Sequence, residues 1–536
     1  MIDVDVLVVG SGFSGSLMAL GLRRQGRTVA LLERGRHPRF AIGESSTPLA
    51  NLLLEEFADR YDLPRIRAFS KWGTWQQTHP GVACGLKRGF TFLFHRAGEP
   101  FADGAAHDRQ LLVAASPHDA IADTHWYRPD FDAALAVEAE AAGAIYLDDT
   151  RIDHIGWSAG RAVVDAVRHG RSFRLNAGFV VDASGPRGFL HRALPLAEAP
   201  LRWLPRTEGL YTHFEGVGRW EQVAPPDATP DATPPYPPDA AALHHVFPGG
   251  WIWVLRFNNG ITSAGAALTA PLAARIGASE GAAGWTRLLE TLPSVRAQFA
   301  GARATLPFIH APAIAFRSSR AAGPGWALLP SAAGVIDPLL STGFALTLLG
   351  VSRLLDIVAT TRPGEERDAA LRDYEVTTLE ELEITERLVA GLYATMHDPE
   401  LFKRLTLLYF AAASYSEAAR RLARPKLAPG FLLCGKQTFA SSVRICADLA
   451  RLAPAAGARR ELLARIDRTI APFDVAGLLD RSRGDWYPAR AADLLAGAAK
   501  LEASAEDIQA MLVRSGFLES HQSSNANAGG PTRNSA

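Results

Sequence analysis

Six residues near the start of the chain, Gly10-Ser11-Gly12-Phe13-Ser14-Gly15, form a GxGxxG pattern, and Glu33 follows about 20 residues further on. This spacing suits a dinucleotide. Gly10 turns the chain, Gly12 lets the backbone approach a pyrophosphate, and Gly15 lets a helix lie close on its strand. Phe13 and Ser14 open that helix, whose N-terminal N–H groups attract phosphate. Glu33, with Arg34 beside it, stands where a carboxylate grips a ribose. A second acidic group, Asp182 in Val181-Asp182-Ala183-Ser184-Gly185, suits the same crevice or simply caps a turn. Only one glycine fingerprint is present, so a second dinucleotide domain is not expected. A reductant then either binds without one or arrives as reduced cofactor from a partner.

These residues need a βαβ unit to position them. Val4 to Val9 is an apolar run suited to a buried parallel strand, Ser14 to Gln25 has helical periodicity, and Thr28 to Leu32 is a second apolar run. Further on, 46–61 reads as a helix with Pro48 in its first turn. Residues 83–95 read as one strand, 130–142 as an amphipathic helix, and 179–182 as another buried strand. His244 to Phe257 and Ile261 to Leu268 read as an antiparallel pair around Asn258-Asn259-Gly260. Residues 225–238 are Pro-rich and read as an exposed excursion, either a plain insertion or an active-site flap. From about 351 helical patterns dominate through Leu518, and 519–536 lacks the apolar content needed to fold. The expected division is a core over 1–360, a helical region over 361–518 and a disordered tail over 519–536.

The 536 residues are 48% apolar and 21% charged, an ordinary globular composition, and 56 basic residues balance 56 acidic ones. That balance argues against nucleic acid or an anionic membrane as the main partner. Cys84, Cys434 and Cys446 are widely spaced, so neither a zinc site nor a disulfide framework is expected, and His244-His245 lacks the companions of a metal site. The start, MIDVDVLVVG, has no basic n-region or cleavage site, which points to a cytoplasmic protein. The most apolar stretch, Trp326 to Leu355, is broken by Pro330, Asp337 and Pro338; it reads as a strand-turn-helix rather than a membrane span.

Four further features carry a resemblance. Gly43-Glu44-Ser45 precedes Pro48. Lys87 stands in GLKRGFTFLFH. Trp251 and Trp253 alternate in Gly250-Trp251-Ile252-Trp253. Asp337-Pro338-Leu339-Leu340-Ser341-Thr342-Gly343 leads into Phe344. Together with the glycine fingerprint, these resemble the flavin-dependent halogenases, within the FAD monooxygenases related to aromatic hydroxylases. The resemblance runs over about 1–355. It implies an α/β fold: a Rossmann-type FAD-binding core, an adjoining antiparallel sheet and a helical C-terminal region. It also implies FAD, used as FADH2 with O2 and a halide, chloride or bromide, and a separate flavin reductase as partner. Glu44, Ser45, Arg128, Asp337 and Phe344 then join the cofactor residues, and the amides of Thr342 and Gly343 form a halide nest. Lys87 becomes the catalytic amine, which receives hypohalous acid and delivers halogen to an electron-rich aromatic ring. Lys71, in SKWGTW, is its rival. Trp251 and Trp253 keep substrate away from the flavin, or serve only as core.

Three positions depart from the family pattern. Val254-Leu255-Arg256 follows Trp253 in place of xIP. Pro330-Ser331-Ala332 replaces a Gly-Asp-Ala. Leu340 stands where tryptophan-type halogenases carry a Glu. The last points toward a phenolic or otherwise self-activated ring, free or tethered to a carrier protein. Two other readings stay open: an FAD-dependent hydroxylase without halide use, and a non-catalytic flavin-binding partner in a biosynthetic complex.

Overall fold

The apolar run Ile2–Val9 is the central strand of a parallel sheet, fully enclosed from Val6 to Val9. A computed structural model describes residues 2–104, 107–224 and 233–518. Ile2–Val9 pairs in parallel with Val29–Leu32 on one side and Arg171–Asp182 on the other, in a register that aligns Val9 with both Leu32 and Asp182. Ile145–Leu147 and Trp326–Leu328 extend the parallel ladder on the two flanks. The carboxyl ends of these strands therefore open on one crevice, the ligand site of such sheets. The helix Phe13–Arg24 follows the first strand and is buried over most of its length. Gly10 has φ +99°, and a Cβ at Gly15 would lie 1.8 Å from the Gly10 carbonyl oxygen. Helix and strand approach this closely only because glycine stands there.

A second sheet of nine strands lies beside the first. In order it runs through Arg303–Ala304, Thr207–Glu215, Thr262–Thr269, Gly250–Arg256, Ala242–Phe247, Gly89–Phe94, Gln110–Ala114 and Trp486–Tyr487, with Ile309–Ala311 also paired to Thr207–Glu215. It is antiparallel except where Ala242–Phe247 meets Gly89–Phe94 and Trp486–Tyr487 meets Gln110–Ala114. The expected fold class is the one observed. Two strands were read too long. Residues 83–95 form two strands in different sheets, Cys84–Lys87 and Gly89–Phe94, broken at Arg88, whose N–H donates to Ala240 O. Residues 244–257 likewise span two strands, Ala242–Phe247 and Gly250–Arg256, joined at Pro248-Gly249 with Gly249 at φ +91°. The breaks fall at Lys87-Arg88-Gly89 and at Pro248-Gly249-Gly250, polar and turn residues between apolar runs that are buried on both faces.

Long helices complete the chain: Thr342–Thr360, Glu365–Thr395, Pro399–Arg421 and Gln437–Arg451. Among the described residues, Thr342–Thr360 is the one helix long and apolar enough to cross a membrane; 67% of its most apolar window is buried inside the protein, as in a core helix. Most of the Pro-rich excursion, 225–232, and the tail, 519–536, lie outside the described residues. At the end of the excursion Tyr236 is buried and donates to Phe90 O at 2.6 Å. Arg256, where the family pattern has a proline, pairs with Asp239 at 2.6 Å.

Because the added methyl has no room, Gly15→Ala should destabilise the protein by at least about 2 kcal/mol and strip it of dinucleotide. Thermal melts with and without added FAD check both effects.

Candidate functional site

The first part of the site is the crevice at the strand ends. Glu33 accepts from Ser11 N–H at 3.0 Å, Ser11 Oγ at 3.1 Å and Gly35 N–H at 3.0 Å, and pairs with Arg39 at 3.1 Å. Burial pushes its carboxyl up, but Arg39 and the amides of Gly35 and Ser11 outweigh that and hold it below the usual range. Arg34, expected to help, is exposed, and Arg39 takes its place beside the carboxylate. Asp182 is fully enclosed, accepting from Ser184 N–H and Oγ and from Leu190 N–H. Its side chain thus fixes the turn after its strand. Arg128 forks onto Asp132 with two contacts of 2.7 Å and donates to Gly43 O at 2.9 Å. Asp132 also accepts from Phe13 N–H at 3.2 Å, at the positive end of the first helix.

The second part is a closed chamber around Lys87. The strand Cys84–Lys87 pairs antiparallel with Asp123–Trp126, setting Lys87 opposite Asp123. The segment Gly43-Glu44-Ser45 is stitched to that same strand: Trp126 N–H donates to Glu44 O and Ser46 N–H to Thr124 O. Lys87 is fully buried, donates from Nζ to Ser45 Oγ at 2.8 Å and to Ser46 O, and sits 3.8 Å over the Phe90 ring. Ser45, expected at the cofactor, here holds the amine. Burial drives the lysine down to about 7, with Asp123 opposing. Glu44 turns the other way and accepts from or pairs with His213 Nε2 at 2.8 Å, while its Oε2 is buried without a partner.

The third part is the turn before Thr342–Thr360. Ser341 adopts φ +52° and offers no side-chain cap, so the helix starts with its first N–H groups free of capping, at Thr342, Gly343 and Phe344. No atom lies within 4 Å of where a Gly343 Cβ would be, so one face of this turn is open to a flat ring. The Phe344 side chain is turned into the core, stacked on Trp126 at 4.1 Å. Asp337 accepts from Leu339 N–H at 2.9 Å and from Tyr393 Oη at 2.8 Å, and Trp251 Nε1 donates to Tyr393 Oη at 3.2 Å. Burial pushes the Asp337 carboxyl up to about 7. Trp251 and Trp253 share one face, their rings 5.6 Å apart, and Trp253 Nε1 donates to Ser263 Oγ at 3.3 Å.

These features fit FAD. Glu33, Ser11 and the GxGxxG amides would hold the adenosine and pyrophosphate, and the open face at Gly343 would take the flavin ring. Residues 5–336 match the model of the FAD dependent oxidoreductase family. The chain belongs to that family. Its cofactor is FAD, and it is an oxidoreductase.

Within the family its relatives are flavin-dependent halogenases. It is 31% identical over 353 residues to tetracycline 7-halogenase of Kitasatospora aureofaciens, covering 64% of this chain and 61% of the relative. It is 30% identical over 361 residues to a monodechloroaminopyrrolnitrin halogenase of Pseudomonas fluorescens, covering 65% and 60%. The chain thus spans about three fifths of the length of these curated relatives. A crystal structure of halogenase PltM in complex with phloroglucinol and FAD superposes with a TM-score of 0.79 at 25% identity, covering 90% of this chain and 99% of that one.

Beside the chamber lies a cavity of about 160 Å³, whose walls include Asn51, Lys71, Phe90, Asp123, Tyr409 and Tyr487. An apolar cavity of this size holds one aromatic ring. Phe90 and Asp123 face both the cavity and the surroundings of the amine. Neither Lys87 nor Thr342 is part of this wall, and Lys87 is fully buried. Tyr409 spans the gap, lining the cavity and donating to Leu340 O of the turn at 3.0 Å. Lys71 lines the cavity too, with its amine given to Ser515 O at 2.7 Å. Asp123, Asp132, Arg39, His213 and Tyr393 were not singled out from the sequence. Asp123, His213 and Tyr393 act through partners distant in the chain; Arg39 and Asp132 have nearby partners, Glu33 and Arg128, but no motif announces them.

Tyr393→Phe leaves the Trp251 N–H and one Asp337 oxygen unpaired. It should cost about 1–3 kcal/mol, read as a lower urea midpoint at unchanged m-value.

Proposed function

We propose that this oxidoreductase is a flavin-dependent halogenase, supplied with FADH2 by a separate flavin reductase and acting on an electron-rich aromatic ring. The observation that carries this reading is the sealed Lys87 amine, held by Ser45 and Ser46 and lowered by burial to about 7. Bound as FADH2, the cofactor supplies with O2 the oxidising power that turns halide into hypohalous acid. The amides at Thr342 and Gly343 hold the halide at the positive end of their helix. Trp251 and Trp253, locked by Tyr393 and Ser263, keep the ring substrate and bulk water away from the turn.

A lysine with its ordinary pKa is protonated at neutral pH and has no electron pair to offer. Dehydration of Lys87 favours its neutral form. The neutral nitrogen takes halogen from hypohalous acid: an N–halogen bond forms, the halogen–oxygen bond breaks, and water leaves with the amine proton. Ser45 Oγ and Ser46 O orient the nitrogen throughout. Phloroglucinol, the ligand in the PltM complex, is a phenol, and Leu340 in place of a carboxylate favours a ring that activates itself. The substrate is therefore read as a phenolic ring, free or carrier-tethered, and the enzyme as cytoplasmic.

Incubation with a flavin reductase, NADH, bromide and a panel of phenols tests this. Wild type should give products with bromine isotope patterns, and Lys87→Met should lose at least about a hundredfold in brominated product while still oxidising reduced flavin. Since the neutral amine is the active form, bromination should rise as pH increases through about 7. Oxygenated products formed without need of halide would identify a hydroxylase instead.

A further inference from the structure

The cavity beside the lysine carries an acidic group that the reaction above does not use. Asp123 lines the cavity on the strand paired with that of Lys87, in direct register with it. Asn51 Nδ2 donates to its Oδ1 at 2.8 Å, fixing the carboxyl plane. Its Oδ2 is buried and has no partner, as is Asn51 Oδ1 on the same cavity wall. Buried polar atoms are rarely left unpaired, so two side by side in one wall point to a polar ligand. The same wall carries the cations Lys71, Arg421 and Arg490 and a second carboxylate, Glu417; its two unpaired acceptors call for a ring that carries donors.

We propose that Asp123 is a catalytic base of this site: its free oxygen binds the acidic hydroxyl of a phenolic substrate and takes that proton as the ring is halogenated. This rests on the halogenase reading and names the substrate class of that site. The step balances. The phenol proton passes to Asp123 Oδ2 as the ring carbon takes halogen from the Lys87 nitrogen, a transfer that needs the Phe90 ring, which lines the cavity and lies 3.8 Å from that nitrogen, to swing aside. The N–halogen bond breaks as the nitrogen takes the proton that Asp123 has received, which leaves the neutral amine. Asp123, again a carboxylate, then takes the displaced ring C–H proton, restoring the aromatic ring, and passes it to the phenolate oxygen. The carboxylate at this position supplies what Leu340 lacks, from another strand.

The surroundings favour such a base. Burial pushes the Asp123 carboxyl up to about 7; Lys87 pulls it down, Glu417 pushes it up, and Asn51 and Arg421 pull it down. The Tyr409 hydroxyl is pushed up by burial and by Asp123 in turn. A base with its pKa near the working pH is the effective one.

Phloroglucinol and its trimethyl ether, equal in ring and unequal in hydroxyl protons, test the proposal. Calorimetry on the FAD-loaded protein should show wild type binding phloroglucinol more tightly than the ether. Asp123→Asn should weaken phloroglucinol by about ten- to a hundredfold and leave the ether within about twofold. The kcat/KM for bromination should follow the same split. Asn51→Ala, which frees the carboxylate without removing it, should raise KM for phloroglucinol and keep most of kcat. Equal losses for both compounds in Asp123→Asn, or no loss for either, overturn the role of Asp123. So does a wild type that binds neither. Binding that splits as expected without bromination by wild type keeps the ligand contact and overturns the halogenase reading alone.

Discussion

An ammonium group stripped of water is expensive, and the fold strips Lys87 completely. Two oxygens, Ser45 Oγ and Ser46 O, and the face of Phe90 are what it receives in return. Neither oxygen is charged, and although Asp123 favours the cation, burial outweighs it and favours the neutral amine. The surrounding elements are arranged around that constraint. The strand Cys84–Lys87 ends at the lysine, the chain breaks at Arg88, and the next strand belongs to a different sheet. The segment Gly43–Ser46 crosses over the paired strand Asp123–Trp126 and shuts the chamber.

The same segment joins the chamber to the nucleotide crevice. Gly43 O receives Arg128, which forks onto Asp132, which in turn accepts from the first N–H of the GxGxxG helix. A second chain of contacts runs from the turn before Thr342 through Asp337 and Tyr393 to Trp251. It ties the crevice to the second sheet and to the long helix Glu365–Thr395. A third, from Leu340 O to Tyr409, ties the turn to the cavity. The helical region is thereby part of the site: Tyr393 and Tyr409 come from helices whose sequence carries no motif.

The legible parts were those whose chemistry is local. Gly10, Gly12 and Gly15 announce a close strand–helix turn because no other residue fits, and Gly15 has only 1.8 Å of room for a methyl. The frame around Lys87 and the turn 337–343 were legible through family resemblance. Less legible were positions decided by side-chain direction. Arg34 is adjacent to Glu33 in sequence but points out, whereas Arg39 reaches back to it. Asp182 stands at the right strand end, yet its oxygens are consumed by Ser184 and Leu190. The strand break at Pro248-Gly249 carried a turn signal in the sequence, whereas the one at Arg88 is decided by its N–H, which leaves the ladder for Ala240 O.

The amino-acid sequence by itself determined the nucleotide crevice, since glycine sterics and strand hydrophobicity are fixed by neighbours in the chain; it pointed to Lys87 only through family resemblance, with Lys71 as rival. Tertiary structure alone decided the environment of that amine. Asp123 faces Lys87 only because two short strands, distant in sequence, pair in one register. Burial, which sets the charge of both, is a property of everything packed around them.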